Sequence, residues 1–273
     1  KLINFNLICW FIVFCIFARL KIPKPKSMKK LLLLLTAILM IATSFYKKTN
    51  LEVNSKKSLS TKIEKNSGKT TELSEAETLY YAIEFNNSTK LELDVFEKAI
   101  LGFNNLKKAG EIDEDSHLLT VCDFSLSSTQ KRLWVIDLND KKILFNSLVA
   151  HGKNTGEEFA RKFSNTESSL QSSLGFYVTE STYNGSNGFS LKLHGMDKGF
   201  NDRALQRAIV MHGADYVSED FIKSQRRIGR SWGCPAVPTA LAKPIINTIK
   251  DKNVIFIYYP DQNYLSSSVW LNA

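Results

Sequence analysis

The stretch RSWGCPAVP, residues 230–238, sets the thiol of Cys234 between Gly233 and Pro235, with Ser231 three positions ahead. A thiol of pKa near 8.5 is only about 3% ionised at pH 7, so a nucleophilic cysteine requires a neighbouring base or helix dipole. Four histidines are available: His117, His151, His194 and His212. His212 fits best, because it ends the apolar run AIVMHG, where a strand leaves its sheet and the side chain reaches a cleft. Gly213 then allows a tight turn. The polar segment ADYVSEDFIKSQRRIGR leads from there back to Ser231. A loop that leaves at a histidine and returns at a cysteine brings base and nucleophile face to face. Gly233 clears space for a substrate carbonyl, and the Gly233 and Cys234 amides can point at a developing oxyanion. Pro235 has no N–H to add and fixes the chain direction.

Each residue also has a plainer reading. A cysteine among small residues is commonly a core position, a strand-end histidine is commonly a satisfied hydrogen-bonding group, and Cys122 and Cys234 could form one disulfide in an exported domain. The residues alone leave packing and chemistry evenly balanced. His194, His212 and Cys234 have no spacing that demands a metal, and the chain has neither paired zinc cysteines nor a phosphate-binding glycine loop. No metal or cofactor is expected.

Short strand-like segments position these residues. Leu119, Val121 and Phe124 begin the series, with Cys122 at a core position, and Arg132–Leu138 and Lys142–Ala150 flank a hairpin turn at Asn139-Asp140. Further strands are predicted at Gly175–Thr179, Ser190–His194, Ala208–His212 and Val254–Tyr259, with a helix at Thr239–Lys250 before the last. Ahead of the strands, Ser74 and Glu77 form a capping-box pattern. A second helix over Leu93–Lys108 carries Val95, Phe96, Ala99, Ile100, Phe103 and Leu106 on one face. The fold class is mainly β with a few helices, preceded by a short helical segment over 73–115 that packs on a domain spanning 116–273.

The 273 residues carry a formal net charge of +9, which suggests nucleic acid until the charges are located. Residues 1–46 hold seven Lys or Arg and no acidic residue; the remainder has 29 basic against 27 acidic side chains, and the case for nucleic acid falls away. Met28-Lys29-Lys30 followed by the apolar run Leu31–Tyr46 has the form of a secretory signal peptide, with Ala42 and Ser44 offering a cleavage site. The run is shorter than the ~20 residues of a membrane span, so a cleaved signal is favoured over a membrane tether. Residues 1–27, with Cys9 and Cys15, read as translated upstream sequence or a first membrane segment, and 47–72 as a flexible linker. The expected location is the periplasm or cell envelope.

The pattern His212-Gly213, a loop, then Ser231-Trp232-Gly233-Cys234 resembles the signature of the L,D-transpeptidase catalytic domain, the YkuD-like family of murein cross-linking enzymes. RLWVIDLNDKKILFNSLVAHGKNTG, SSLGFYVT, LKLHGMDKGFNDRALQRAIVMHGADYV and GRSWGCPAVP extend the resemblance over roughly 118–260. It implies a β-sandwich or barrel with a catalytic cleft and a two-step acyl transfer on peptidoglycan stem peptides. Cys234 would be the nucleophile and His212 the general base, with the Gly213 carbonyl supporting the imidazole. Arg230, Ser231, Trp232 and His194 would contact substrate. The chain departs from the commoner signature in having Trp232 where His is usual and Pro235-Ala236 where Arg or Asn follows the cysteine. Its loop between His212 and Ser231 is also slightly longer. The competing readings are an L,D-carboxypeptidase, with water as acceptor, and a non-catalytic wall-binding domain on the same scaffold.

Overall fold

A computed structural model describes residues 73–273, which form one compact unit. The predicted signal peptide, the segment 1–27 with Cys9 and Cys15, and the linker 47–72 lie outside the described residues.

Helix α1 (Glu75–Ala82) starts as its capping box predicts: Ser74 Oγ accepts from the Glu77 amide at 3.1 Å, and the Glu77 carboxylate accepts from the Ser74 amide at 2.8 Å. Helix α2 (Leu93–Lys108) buries the predicted apolar stripe against the sheet. Its Gly102 permits the close approach, since a Cβ there would stand 2.0 Å from the Phe176 ring. That ring stacks in turn on Phe256, with centroids 4.2 Å apart, so α2, Phe176 and Phe256 form one continuous apolar layer.

Eight strands follow: β1 (Leu118–Asp123), β2 (Leu133–Asp137), β3 (Lys142–Ser147), β4 (Gly175–Gly185), β5 (Gly188–Gly195), β6 (Val210–Ala214), β7 (Ala236–Pro238) and β8 (Val254–Tyr258). They form one mixed sheet in the order β3-β2-β1-β8-β4-β5-β6-β7. β1 pairs with β8, and β6 with β7, in parallel; the other pairs are antiparallel. β2 and β8 are buried along their whole length, and β1 from its second residue, as strands covered on both faces must be. The sheet then curls on itself. The chain leaving β3 reaches the β7 edge, where the Ala150 amide donates to the Ala236 carbonyl at 2.8 Å, giving a nearly closed barrel.

Three helices complete the unit: α3 (Glu219–Gln225), α4 (Thr239–Ile249) and α5 (Gln262–Ser267). The polar excursion after Gly213, read from sequence as a loop, contains α3, capped by Ser218. Its periodicity is invisible because none of its residues is buried. β4 runs six residues beyond its predicted end and turns at Ser186-Asn187 into β5; polar, exposed side chains on this protruding hairpin masked it.

Cys122 lies in β1, fully buried as predicted, and its thiol is free, as is that of Cys234. The disulfide considered for this pair is therefore not formed. β1 occupies the middle of the sheet and Cys234 sits beside the opposite edge strand.

Candidate active site

The parallel β6–β7 pairing sets the site. His212 pairs with Ala236, so Cys234, two residues earlier, falls at the level of Val210 on the neighbouring strand. Strand spacing and rise then put the His212 and Cys234 Cα atoms about 8 Å apart. The Val210 amide lies close enough to the Cys234 sulfur to favour its ionised form. His212 and Cys234 are both buried, with exposures of 4% and 9%.

His212 Nδ1 lies 2.9 Å from the Gly213 carbonyl. A carbonyl only accepts, so Nδ1 carries the proton and Nε2 is left with its lone pair. This is the tautomer a general base needs. Gly213 can sit here because α4 presses on it: a Cβ would meet Ala242 Cβ at 2.9 Å and Thr239 Cα at 3.1 Å.

The sulfur is held as a thiol. Sγ lies 3.8 Å from the Ala208 carbonyl, an acceptor for S–H, and burial raises its pKa while the Val210 amide, Arg207 and its own amide pull the other way. Ala208 aims that carbonyl from a left-handed conformation, φ 52°, which is uncommon for a residue with a side chain. Tyr216 also feels the site. Burial, and then repulsion from the Cys234 thiolate once that sulfur ionises, push its phenol up to about 12.

The loop that carries Cys234 is fastened from within. Ser231 Oγ donates to the Cys234 carbonyl at 2.6 Å and accepts from the Gly233 amide at 3.0 Å. Gly233 has φ 129°, and a Cβ there would stand 2.8 Å from the Gln171 carbonyl, so glycine is dictated by both conformation and space. Ser172 Oγ donates to the Gly233 carbonyl at 3.0 Å and accepts from the Gly152 amide at 3.0 Å. Ser231 is joined to His151 through main chain, its amide donating to the His151 carbonyl at 3.0 Å.

The other predicted site residues are distributed as follows. Trp232 projects into solvent beside Cys234 with 78% of its surface exposed. Ser231, expected at the substrate, is 4% exposed and has its hydroxyl engaged in both directions within its own loop. The Gly233 amide, expected in an oxyanion hole, is bound to Ser231 Oγ at 3.0 Å. Arg230 is anchored to Glu157 at 2.6 Å and to the Lys153 and Gly156 carbonyls. His194 is four residues along β5 from Ser190, the partner of His212, or roughly 13 Å at strand rise. It lines a separate cavity with Glu180, Asp113 and Lys252.

Sequence reasoning missed Ser172, Ser173 and the Arg132–His151 pair as contributors. Ser172 and Ser173 lie in SSLGFYVT, a stretch whose resemblance was visible but whose hydroxyls had no evident task. Arg132 and His151 form a buried pair behind the Cys234 loop. Arg132 Nη2 lies 2.7 Å from His151 Nδ1, and the guanidinium also donates to the Val149 and Leu126 carbonyls and lies over Phe124. Desolvation, then the Arg132 charge, push His151 down to about 3, so its imidazole is neutral, accepting at Nδ1 and donating from Nε2 to the Gly156 carbonyl at 3.3 Å. His151 is structural: its carbonyl holds the Ser231 amide at the base of the Cys234 loop.

A nearly closed mixed β-barrel, with a histidine on its penultimate strand and a cysteine in the loop entering its last, defines a protein with a Cys–His site at a strand edge. Residues 87–258 match the family model of the L,D-transpeptidase catalytic domain, and the chain belongs to that family. The match begins in the helical segment ahead of α2, earlier than the motifs alone reach. No curated protein matches by sequence. Among solved structures, the chain is similar to an L,D-transpeptidase from Mycobacterium smegmatis, at 13% identity and a TM-score of 0.33, covering 53% of this chain and 59% of that one. It is also similar to the helical cell shape determining protein Pgp2 from Campylobacter jejuni, at 15% identity and 0.37, covering 55% and 50%. A third is an L,D-transpeptidase from Xylanimonas cellulosilytica, at 13% identity and 0.31, covering 67% and 90%. The chain thus spans less than two thirds of the first two.

Proposed function

We propose that the protein is an exported cysteine L,D-transpeptidase that acylates Cys234 with a peptidoglycan stem peptide and passes the acyl group to an amine. The supporting observation is the placement of Cys234, by the β6–β7 register, one strand over from a His212 whose Nδ1–H is committed to the Gly213 carbonyl, inside the segment that matches the family. Proton movement follows from that tautomer. His212 Nε2 takes the thiol proton, and the thiolate attacks the carbonyl carbon of the donor's third residue. The Cys234 amide stabilises the oxyanion. Collapse breaks the C–N bond, Nε2 returns the proton to the leaving amine, and a thioester remains. The acceptor amine then attacks the thioester carbon and gives its proton to Nε2, from which the departing sulfur recovers it, and a new amide is formed. Water in place of the amine would release a carboxylic acid, the carboxypeptidase outcome of the same site. Trp232, exposed beside the sulfur, offers an apolar face to the bound peptide.

The test is incubation of the purified chain with stem-peptide donors and acceptors, with the products resolved as muropeptides, and with a carbapenem, with the adduct mapped by mass spectrometry. Cross-linked product and a Cys234 adduct are expected, both lost in Cys234→Ala, with turnover reduced about 10²–10⁴-fold in His212→Ala. A Cys234→Ala protein with undiminished turnover would refute the assignment. Export is checked by sequencing the N-terminus of the native protein in the cell envelope fraction.

A further inference from the structure

Arg207 has no evident task in the proton transfers above, yet it is the side chain most extensively bound near the sulfur. Its Nη1 donates to the Ser164 carbonyl at 2.7 Å and to Ser173 Oγ; its Nη2 donates to the Gln171 carbonyl at 2.7 Å and to Ser169 Oγ at 3.2 Å. All four acceptors belong to one segment, 164–173, which includes two residues at positive φ, Ser168 and Leu170. The Gln171 carbonyl that Arg207 grips is the atom lying 2.8 Å from the position of a Gly233 Cβ. Arg207 therefore holds the wall against which the residue before the nucleophile is packed. On its other side it is followed by Ala208, whose carbonyl receives the Cys234 thiol at 3.8 Å.

The charge of this guanidinium is not cancelled locally. Its acceptors are two carbonyls and two hydroxyls, it forms no ion pair among the described residues, and Nε is buried without a hydrogen-bond partner. A planar fork suits such multiple acceptance, and a half-buried cation with only neutral partners projects its field onto nearby groups. Cys234 and Tyr177 are the groups that interact with it electrostatically. The groups bearing on the sulfur are thus Arg207 from the turn before β6, the Val210 amide of β6 and Tyr216 from the segment after it, while the register places His212 two residues along β6 from Val210.

We propose that Arg207 is a positioning residue with two linked tasks: it clamps segment 164–173 against Gly233, and it supplies the fixed positive charge that favours the Cys234 thiolate in a buried site. This rests on Cys234 being the nucleophile, as proposed above, but its test needs no turnover.

The full chain is alkylated with iodoacetamide across pH 6 to 10, and modification of Cys234 is followed by mass spectrometry. Arg207→Gln is expected to move the midpoint of the profile to higher pH and to slow alkylation at pH 7 by at least about threefold, the effect of a half-unit shift. Arg207→Lys is expected to keep the midpoint but to speed amide hydrogen exchange in 164–173, because an ammonium keeps the charge and loses the fork. A folded Arg207→Gln protein with the wild-type midpoint would overturn the charge assignment. Should that variant not fold, Arg207→Lys decides: a displaced midpoint, or exchange in 164–173 unchanged from wild type, overturns the proposal. Absence of transpeptidation with an intact midpoint shift would count against the functional reading and leave the role of Arg207 standing.

Discussion

Asp197 is a buried carboxyl with no ion-pair partner among the described residues. It is 1% exposed, and its partners are the Phe176 amide at 2.7 Å, the Tyr264 hydroxyl at 3.4 Å and the Ser268 hydroxyl. Burial raises its pKa from 3.8 to about 6 even though all three donors oppose the shift. The folded state therefore binds more protons than the unfolded state between about pH 4 and pH 6, and stability falls as the pH rises through that window. Two pKa units correspond to about 3 kcal/mol, present below about pH 4 and lost above about pH 6. Asp197→Asn keeps an acceptor for the Phe176 amide and cannot ionise, so this contribution to the pH dependence should vanish. Urea unfolding of both proteins at several pH values, followed by tryptophan fluorescence, reads the difference. The variant should gain on wild type by about 3 kcal/mol between pH 4 and pH 7. A difference that stays constant across that range would show that the carboxyl is not desolvated as described. The consequence reaches the site, since Asp197 ties α5 and Ser268 to the start of β4 and the Asn201 turn, from which the chain leads through Arg207 to β6.

Gly233→Ala should lower the melting temperature, because a side chain at φ 129° costs about 1–3 kcal/mol before its contact with the Gln171 carbonyl is counted. Ser231→Ala removes the bonds that fasten the Cys234 loop and should cost about 1–3 kcal/mol in denaturant titration; Ser231→Thr, which keeps the hydroxyl, should recover part of it. Cys122 should remain unlabelled by iodoacetamide in native protein at pH 8 while reacting fully in urea, since burial pushes its thiol up to about 12.

Much of the frame was legible from residue pattern. The α2 stripe, the capping box at Ser74, the core position of Cys122 and most strand cores follow from local periodicity, because burial on one face imposes it. What escaped was held together by contacts distant in sequence or lay on exposed surface. α3 buries nothing, so it leaves no apolar period. Nothing local in the sequence marks the anchor of Arg230: Glu157, which binds it, lies 73 residues away along the chain. Ser172 and Arg207 sit in segments that carry the resemblance but show no task for these side chains; Ser172 reaches Gly233, and Arg207 the Gln171 carbonyl beside it, through contacts distant in sequence.

By itself the sequence determined the chemical inventory: a thiol after Gly233, an imidazole at a strand end before Gly213, and apolar spacings able to build a sheet between them. Only tertiary structure decided which hydroxyls fasten the loop, which histidine is a neutral support and which tautomer His212 adopts. Those outcomes depend on the parallel register of β6 with β7 and on the meeting of Ala150 with Ala236, and side-chain spacing along a strand carries no information about which distant strand will be its neighbour.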